Sequence, residues 1–364
     1  MRLTTPLNDG FRMPAEWELH AGTWMIWPER TDNWRLGAKP AQAIFCEVAT
    51  AISRFEPVTM MASAQQYNNV RALLPPIVRV VEMSTNDAWT RDIGAIFLLN
   101  AEGELRGTDW PFNAWGGLDK GSYFPWDLDD AIASKMLEME RAPRYRAPMV
   151  AEGGAIHVDG EGTVLVTEAC LLAENRNRGI TRQDAERNLK DYLGASHVIW
   201  LGAGVPFDET GGHVDNLACF IRPSSVLLSW CDDHNDPHYA VSRDAEERLV
   251  AARDAKGRAI KIERIPMPPP MFFTDEEAAG IDQTSSGMSR KAGDRLSGSY
   301  VNFLIVNGAI IAPKFGVHTD DEARTILARV FSDREIVMVP AREILLGGGD
   351  IHCITLQQPK QKVS

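Results

Sequence analysis

The sequence predicts a mixed α/β fold built from repeated units of similar length arranged round a common centre, and three observations carry that prediction. Apolar runs of strand length come in pairs and alternate with amphipathic stretches of helix length along all 364 residues, so no region reads as a separate all-α or all-β domain. Four short segments share one composition, a turn rich in glycine and acids ahead of a strand: Trp89–Gly94, Glu152–Ala155, Gly211–Asn216 and Gly347–Cys353. Their spacing is regular. From Asp92 to Glu152 is 60 residues and from Glu152 to His213 is 61, the length of a unit of two or three strands and a helix.

Taken in order, helices are expected near 41–54, 64–74, 128–139, 182–193, 241–255 and 321–331, where apolar residues recur at helical spacing. The β-branched runs Thr163–Thr167, Val226–Ser229 and Val301–Val306 read as strands. From His213 to Cys353 is 140 residues, two units plus an insertion. The insertion is placed at Pro266–Ser299, where Pro268-Pro269-Pro270 and a polar, glycine-containing run indicate a long loop. If equivalent turns meet at the centre, Asp92, Glu152, His213, Asp215 and Cys353 share one pocket.

The bulk numbers narrow the partners. A formal net charge of −12, without a long block of like charges, makes nucleic acid an unfit partner and permits a small cationic one. Cys46, Cys170, Cys219, Cys231 and Cys353 are scattered and lack the paired spacing of a zinc site or disulfide framework, which implies a reducing compartment. Met1–Pro6 has no apolar signal-peptide core and no apolar run reaches membrane-spanning length. A soluble cytoplasmic protein without a membrane partner is expected.

Gly347-Gly348-Gly349-Asp350-Ile351-His352-Cys353 delivers a thiol out of three consecutive glycines, the manner in which a nucleophile is presented. A thiolate needs a cation or general base, and His213, with its own glycine pair and flanking acids, is the chosen partner. Glu152 is placed to orient that imidazole. Asp92 and Asp215 suit no ordinary acyl substrate, because fixed carboxylates repel a developing oxyanion, but they match the planar fork of a guanidinium. The parts then dictate a deimination: thiolate attack on the guanidinium carbon, loss of ammonia on protonation by His213, and hydrolysis of the amidino-thioether by water that His213 deprotonates. No metal or other cofactor is called for. Trp89, three residues before Asp92, is placed to stack on a guanidinium or alkylammonium chain, and Glu209 to meet a second positive charge.

Plainer readings stand beside these. A glycine loop ending in one buried cysteine, an Arg91-Asp92 surface pair and a Glu152 turn are each ordinary structure. His213 and Asp215, two apart, share one face of a strand, which also suits metal ligation, although no third and fourth ligand is visible. The acid-and-His cluster Cys231–His238 reads as a turn entering the helix near 241, built on Asn235-Asp236-Pro237. His352 falls on the opposite face from Cys353 if the strand is regular and is taken as structural. Most of the tryptophans, six of them between Trp24 and Trp115, are packing residues.

With these residues assembled, the chain resembles the agmatine deiminases, a family that includes bacterial peptidyl-arginine deiminases. The likeness runs through Thr23–Arg30, Asn86–Asp92, Phe112–Gly117, Glu152–Gly154, Glu209–Asn216, Ser299–Phe303 and Gly347–Thr355. It implies the pentein fold, five ββαβ-type units round a pseudo-fivefold axis (an α/β propeller), as one catalytic domain over residues 1–364. It further implies Cys353 as nucleophile, His213 as acid and base, Glu152 as its partner, and Asp92 with Asp215 on the guanidinium. Trp89, Trp115 and, near the free amine, Glu209 complete the implied site. The implied reaction is agmatine with water to N-carbamoylputrescine and ammonia, on the route to putrescine and other polyamines, by a homo-oligomer. Two positions depart from the family: Asp350 stands where Asn is usual and Leu356 where Gln is usual. A carboxylate at Asp350 turned inward is expected to raise the thiol pKa and slow the enzyme.

Rival readings are a deiminase of peptidyl arginine or another guanidino substrate, an amidinotransferase, a non-catalytic polyamine binder in which Cys353 is incidental, and a manganese hydrolase yielding urea. A peptide substrate needs an open cleft. A binder needs no thiol, and a manganese enzyme loses activity to a chelator.

Overall fold

The computed structural model describes residues 4–362. Five sheets built on one plan make up the body of the fold, each an antiparallel pair whose second strand is joined in parallel, across helical chain, by a third. The first is Ile96–Leu99, Leu105–Asp109 and Arg144–Arg146. The second is His157–Val158, Thr163–Thr167 and His197–Leu201, and the third Ala218–Arg222, Ser225–Trp230 and Lys261–Pro266. Leu304–Val306, Ala309–Lys314 and Glu335–Pro340 form the fourth. Both ends of the chain build the fifth: Thr355–Pro359 pairs antiparallel with His20–Ile26, which runs parallel to Val58–Ala62, with Arg79–Glu82 outermost.

The helices follow the apolar periodicity. Lys39–Ser53 buries Ala41, Phe45, Val48, Ala49 and Ile52, one stripe at helical spacing turned to the core. Arg182–Leu193 begins at Thr181, whose hydroxyl accepts from Asp184 N, and ends at Gly194 with φ 64°. Tyr67–Leu73, His238–Ala251 and Asp320–Val330 occupy three further expected positions, while 128–139 is divided into Asp127–Asp130 and Ile132–Met139. Within 266–299 lie the two-stranded pair Met271–Phe272 and Arg295–Leu296 and the helix Asp275–Ala279, which opens on a Thr274–Glu277 capping box. Among the described residues no helix is long and apolar enough to cross a membrane.

The expected strand Val301–Val306 is shorter, because pairing starts at Leu304. The residues ahead of it are drawn into a turn: Ser299 Oγ donates to Asn216 O at 2.7 Å and Asn302 Nδ2 to Asn216 Oδ1 at 2.9 Å. This turn is a fifth equivalent of the four visible in the sequence. All five are joined in a closed ring. Arg91 N donates to Cys353 O (3.1 Å), Gly154 N to Asp92 Oδ1 (2.9 Å) and His352 N to Asn302 O (3.2 Å), while His213 Nε2 lies 3.5 Å from Glu152 Oε2 and Asn302 reaches Asn216.

The fourth and fifth units are also pinned outside the ring. Asn307 Oδ1 accepts from His20 N and its Nδ2 donates to His20 O, both at 3.0 Å, where the first residues of His20–Ile26 shift register. Asn307→Ala removes both bonds and leaves the partly buried His20 amide without them. Stability is expected to fall by about 1–3 kcal/mol, read as a lower urea midpoint at unchanged slope.

Candidate active site

The three glycines before the thiol are required by their neighbours. A side chain on Gly347 would overlap the Trp34 ring and one on Gly349 the Trp89 ring, and Gly348 has φ +106°. The indoles therefore pack directly against the backbone that presents Cys353. Residues 351–354 form turns, and the strand begins only at Thr355. Strand alternation thus does not separate His352 from Cys353, and the opposite-face reading of His352 is corrected: its Nδ1 bonds Asp215 Oδ2 at 2.9 Å, inside the site. His213 and Asp215 likewise sit on no strand. Gly211 (φ 85°) and Gly212 (φ 100°) turn the chain, Asp208 Oδ2 accepts from Gly212 N and His213 N, and Val214–Asn216 follows as a single 3-10 turn.

All five expected groups meet. Cys353 Sγ lies 3.8 Å from Asp215 Oδ2 and 3.3 Å from Asn302 Nδ2. His213 Nδ1 lies 3.8 Å from Asp92 Oδ2. A methyl group built on Gly154 would fall 2.6 Å from His213 Nδ1, 2.8 Å from Asp215 Oδ2 and 2.9 Å from Asp92 Oδ1, so these three surround one point before the Gly154 backbone. Trp115 Nε1 donates to Asp92 Oδ2 at 2.8 Å and Trp89 Nε1 to Asp87 Oδ2 at 2.9 Å. Both indoles line a cleft of about 430 Å³ with Asp92, Glu209, Arg290 and Cys353. Tyr123 is bridged to Gly287 over this cleft, and Cys353 is 3 % exposed. Cys353 and His213 make no hydrogen bond to each other among the described residues.

Sequence reasoning missed two members. Asn302 comes from the fourth turn, concealed because 89 residues part it from His213. Arg176 lies in a loop with no motif; its Nε is 2.9 Å from Glu152 Oε1, and its Nη2 is 3.4 Å from Cys170 Sγ and 3.5 Å from His213 Nε2. It also donates to the carbonyls of Trp115 and Thr210. Glu152, Cys170 and His213 offer three donor atoms close enough to hold a metal, but the Arg176 cation already bonds or faces all three. Asp236, in the second tempting cluster, is spent on His238 Nδ1 (2.5 Å) and Arg295 (2.6 Å) at the start of His238–Ala251, as a turn requires. Glu209 is not a free carboxylate: Arg290 Nε and Nη2 donate to its two oxygens at 3.0 and 2.5 Å.

Electrostatics divides the acids. Burial opposes ionisation of Glu152, yet Arg176 and then His213 outweigh it and bring its pKa to about 2. Burial is the stronger influence on Asp92 and pushes it up to about 6 despite His213. Burial disfavours the His213 imidazolium, but Asp92, Cys170 and Glu152 prevail and hold its pKa well above the usual value. Burial, then Asp215 and Asp92, push the Cys353 thiol well up. Asp350 is buried, burial drives its pKa well above the carboxylate range, and its Oδ2 accepts from Ser299 N at 3.3 Å. Its backbone N–H favours the Cys353 thiolate. Leu356 packs on Gly94.

A thiol, an imidazole and paired carboxylates at the centre of five ββαβ units define a class of guanidino-group-modifying hydrolases. The chain matches the Porphyromonas-type peptidyl-arginine deiminase family over residues 12–359, and it belongs to that family and has the pentein fold. It is 57% identical over 358 residues to an agmatine deiminase of Pseudomonas aeruginosa, covering 98% of this chain and 97% of that one. An agmatine deiminase of Pseudomonas syringae pv. tomato is 56% identical over the same shares. Among solved structures, the agmatine deiminase of Enterococcus faecalis superposes with a TM-score of 0.96 at 48% identity, covering 100% of this chain and 99% of that one. A cysteine-to-serine agmatine deiminase of C. jejuni with substrate bound gives 0.83 at 26% identity, covering 96% and 97%.

Gly154→Ala places its methyl where the three central side chains meet. Turnover is expected to fall at least a hundredfold while the unfolding midpoint moves little, measured by steady-state kinetics and urea denaturation of the same preparation.

Proposed function

We infer that this enzyme deiminates agmatine to N-carbamoylputrescine and ammonia, with Cys353 as nucleophile, His213 as acid and base, Glu152 as its partner and Asp92 with Asp215 on the guanidinium. One observation carries the reading: a thiol with no imidazole bonded to it lies against carboxylates that are buried and incompletely paired, Asp215 Oδ1 having no partner. An unpartnered buried carboxylate oxygen is costly until a donor arrives, and a guanidinium supplies N–H donors and charge together.

The same carboxylates time the chemistry. In the free enzyme Asp92 and Asp215 suppress the thiolate, and a guanidinium bound between them cancels that field, so the thiol gives its proton to solvent and the nucleophile forms where its target already lies. The thiolate then bonds to the guanidinium carbon. His213, held protonated, gives its proton to one nitrogen, the C–N bond breaks and ammonia leaves a cationic amidino-thioether. The now neutral His213 takes one proton from water as its oxygen bonds the same carbon; the C–S bond then breaks as the added hydroxyl passes its remaining proton to the departing sulfur, releasing the neutral ureido product and the thiol. Asn302 Nδ2 and the Asp350 N–H donate to the sulfur when it is anionic.

An enclosed cleft favours a small substrate over a peptide, and the agmatine deiminase relatives support agmatine. Trp89 and Trp115 wall the path of its four-carbon chain. Glu209, although paired with Arg290, retains lone pairs and 25% of its side-chain exposure, and receives the terminal ammonium. A homo-oligomer remains part of this proposal from resemblance alone.

Wild type incubated with agmatine and chelator is expected to yield N-carbamoylputrescine and ammonia, and Cys353→Ser to yield neither while still binding agmatine. Urea and putrescine as products would sink the reading. On the acid side kcat/KM should fall about tenfold per pH unit below about pH 6, as Asp92, its pKa raised to about 6, takes a proton and releases the guanidinium.

A further inference from the structure

We propose that His352 is a positioning residue for Asp215: as an imidazolium braced by Glu16 and Arg91, it fixes that carboxylate in place beside Cys353 and the point where the guanidinium binds. This rests on the guanidinium-binding role inferred for Asp215 above.

The geometry argues the protonation state without appeal to any titration. His352 Nδ1 lies 2.9 Å from Asp215 Oδ2 and its Nε2 lies 2.9 Å from Glu16 Oε1. With both acids ionised each partner is an acceptor, and a neutral imidazole has a single N–H to give, so the doubly protonated ring is the form that satisfies both. Glu16, Asp215, Arg91 and His352 are each at most 3 % exposed, so water cannot replace either bond. Arg91 Nη1 lies 3.3 Å from Glu16 Oε1 and completes two cations against two anions. Arg91 Nε also donates to His352 O at 3.4 Å, which fixes the turn carrying the imidazole.

The groups facing the ring are Glu16, Asp215, Arg91 and His157. His157 is neutral, brought down to about 4 chiefly by burial, and its Nδ1 accepts from Phe220 N. Burial and Arg91 press His352 towards neutrality, and Glu16 and Asp215 overcome them, so its pKa is raised. Asp215 is faced besides by Asp92, Asp350, Cys219, Cys353 and, before Gly154, His213. Of these only His213 is a cation and it makes no bond to Asp215, so in the free enzyme His352 is the one positive group bonded to Asp215 among the described residues. Its bond fixes Oδ2, the oxygen that lies 3.8 Å from Cys353 Sγ and meets His213 and Asp92 before Gly154. The turn that presents the thiol thus also sets, through the adjacent residue, the position of the carboxylate beside it.

The test combines His352→Gln with side-chain nitrogen NMR of wild type. In His352→Gln, KM for agmatine is expected to rise about tenfold or more with kcat changed much less, and agmatine Kd in a Cys353→Ser background to rise in parallel. A loss of kcat alone, with KM and the Kd of the Cys353→Ser background unmoved, would show a structural role only and overturn the proposal. If the variant does not fold, the NMR decides: both His352 nitrogens must carry protons at neutral pH, and a single-proton tautomer overturns it. That reading needs no substrate, so wild type that fails to turn over agmatine would refute the proposed function and leave the His352 result legible on its own.

Discussion

Five turns from distant parts of the chain have to close on one another before this molecule has a site, and the hydrogen bond from Arg91 N to Cys353 O is where the ring shuts. No unit holds a catalytic set by itself: Asp92, Glu152, the His213–Asp215 pair, Asn302 and Cys353 come from one turn each. The last strand, Thr355–Pro359, reaches its register only by pairing with His20–Ile26 near the other end of the chain. That contact closes nearly the whole chain into one loop, so the placement of the thiol depends on pairing between its two ends.

Closing the ring buries a dense set of charges, and each is matched by a different means. Glu152 is held by Arg176, Asp215 by His352, and Glu16 by His352 with Arg91. Asp92 has only dipoles, the Trp115 indole and the Gly154 amide, besides its imidazole neighbour. That difference explains why Asp92 is the acid that burial raises to about 6 while Glu152 falls to about 2. A buried carboxylate left short of a cation is a cost in the free protein and a receptor for a cationic ligand. The cluster is thus best balanced when a guanidinium is present.

What was legible in the sequence depended on period and locality. Asp92, Glu152 and His213 could be read together because their units have nearly equal length, and Cys353 because three glycines announce a backbone pressed against something flat. Helices were legible because a buried stripe repeats over three or four turns, as in Lys39–Ser53. Asn302 escaped because an insertion breaks the period, and Arg176 because a lone arginine in a loop has no local signature. His352 escaped for a different reason: strand alternation was applied to residues that form turns, and its partners lie 137 and 336 positions away. Long-range ion pairs leave no pattern at a spacing a reader can scan.

The acids of the site are spent to different degrees. Glu209, across the cleft, is paired with Arg290, and Asp215 is bonded to His352, while Asp92 keeps only dipoles and its imidazole neighbour. The planar fork of a guanidinium fits two facing carboxylates where an isolated ammonium does not. In the proposed function Glu209 acts on the far end of the substrate through geometry, as an acceptor clamped in one orientation by Arg290. A chain of the wrong length misses it, since a rigid acceptor cannot follow a displaced ammonium, so discrimination at that end is by reach more than by charge.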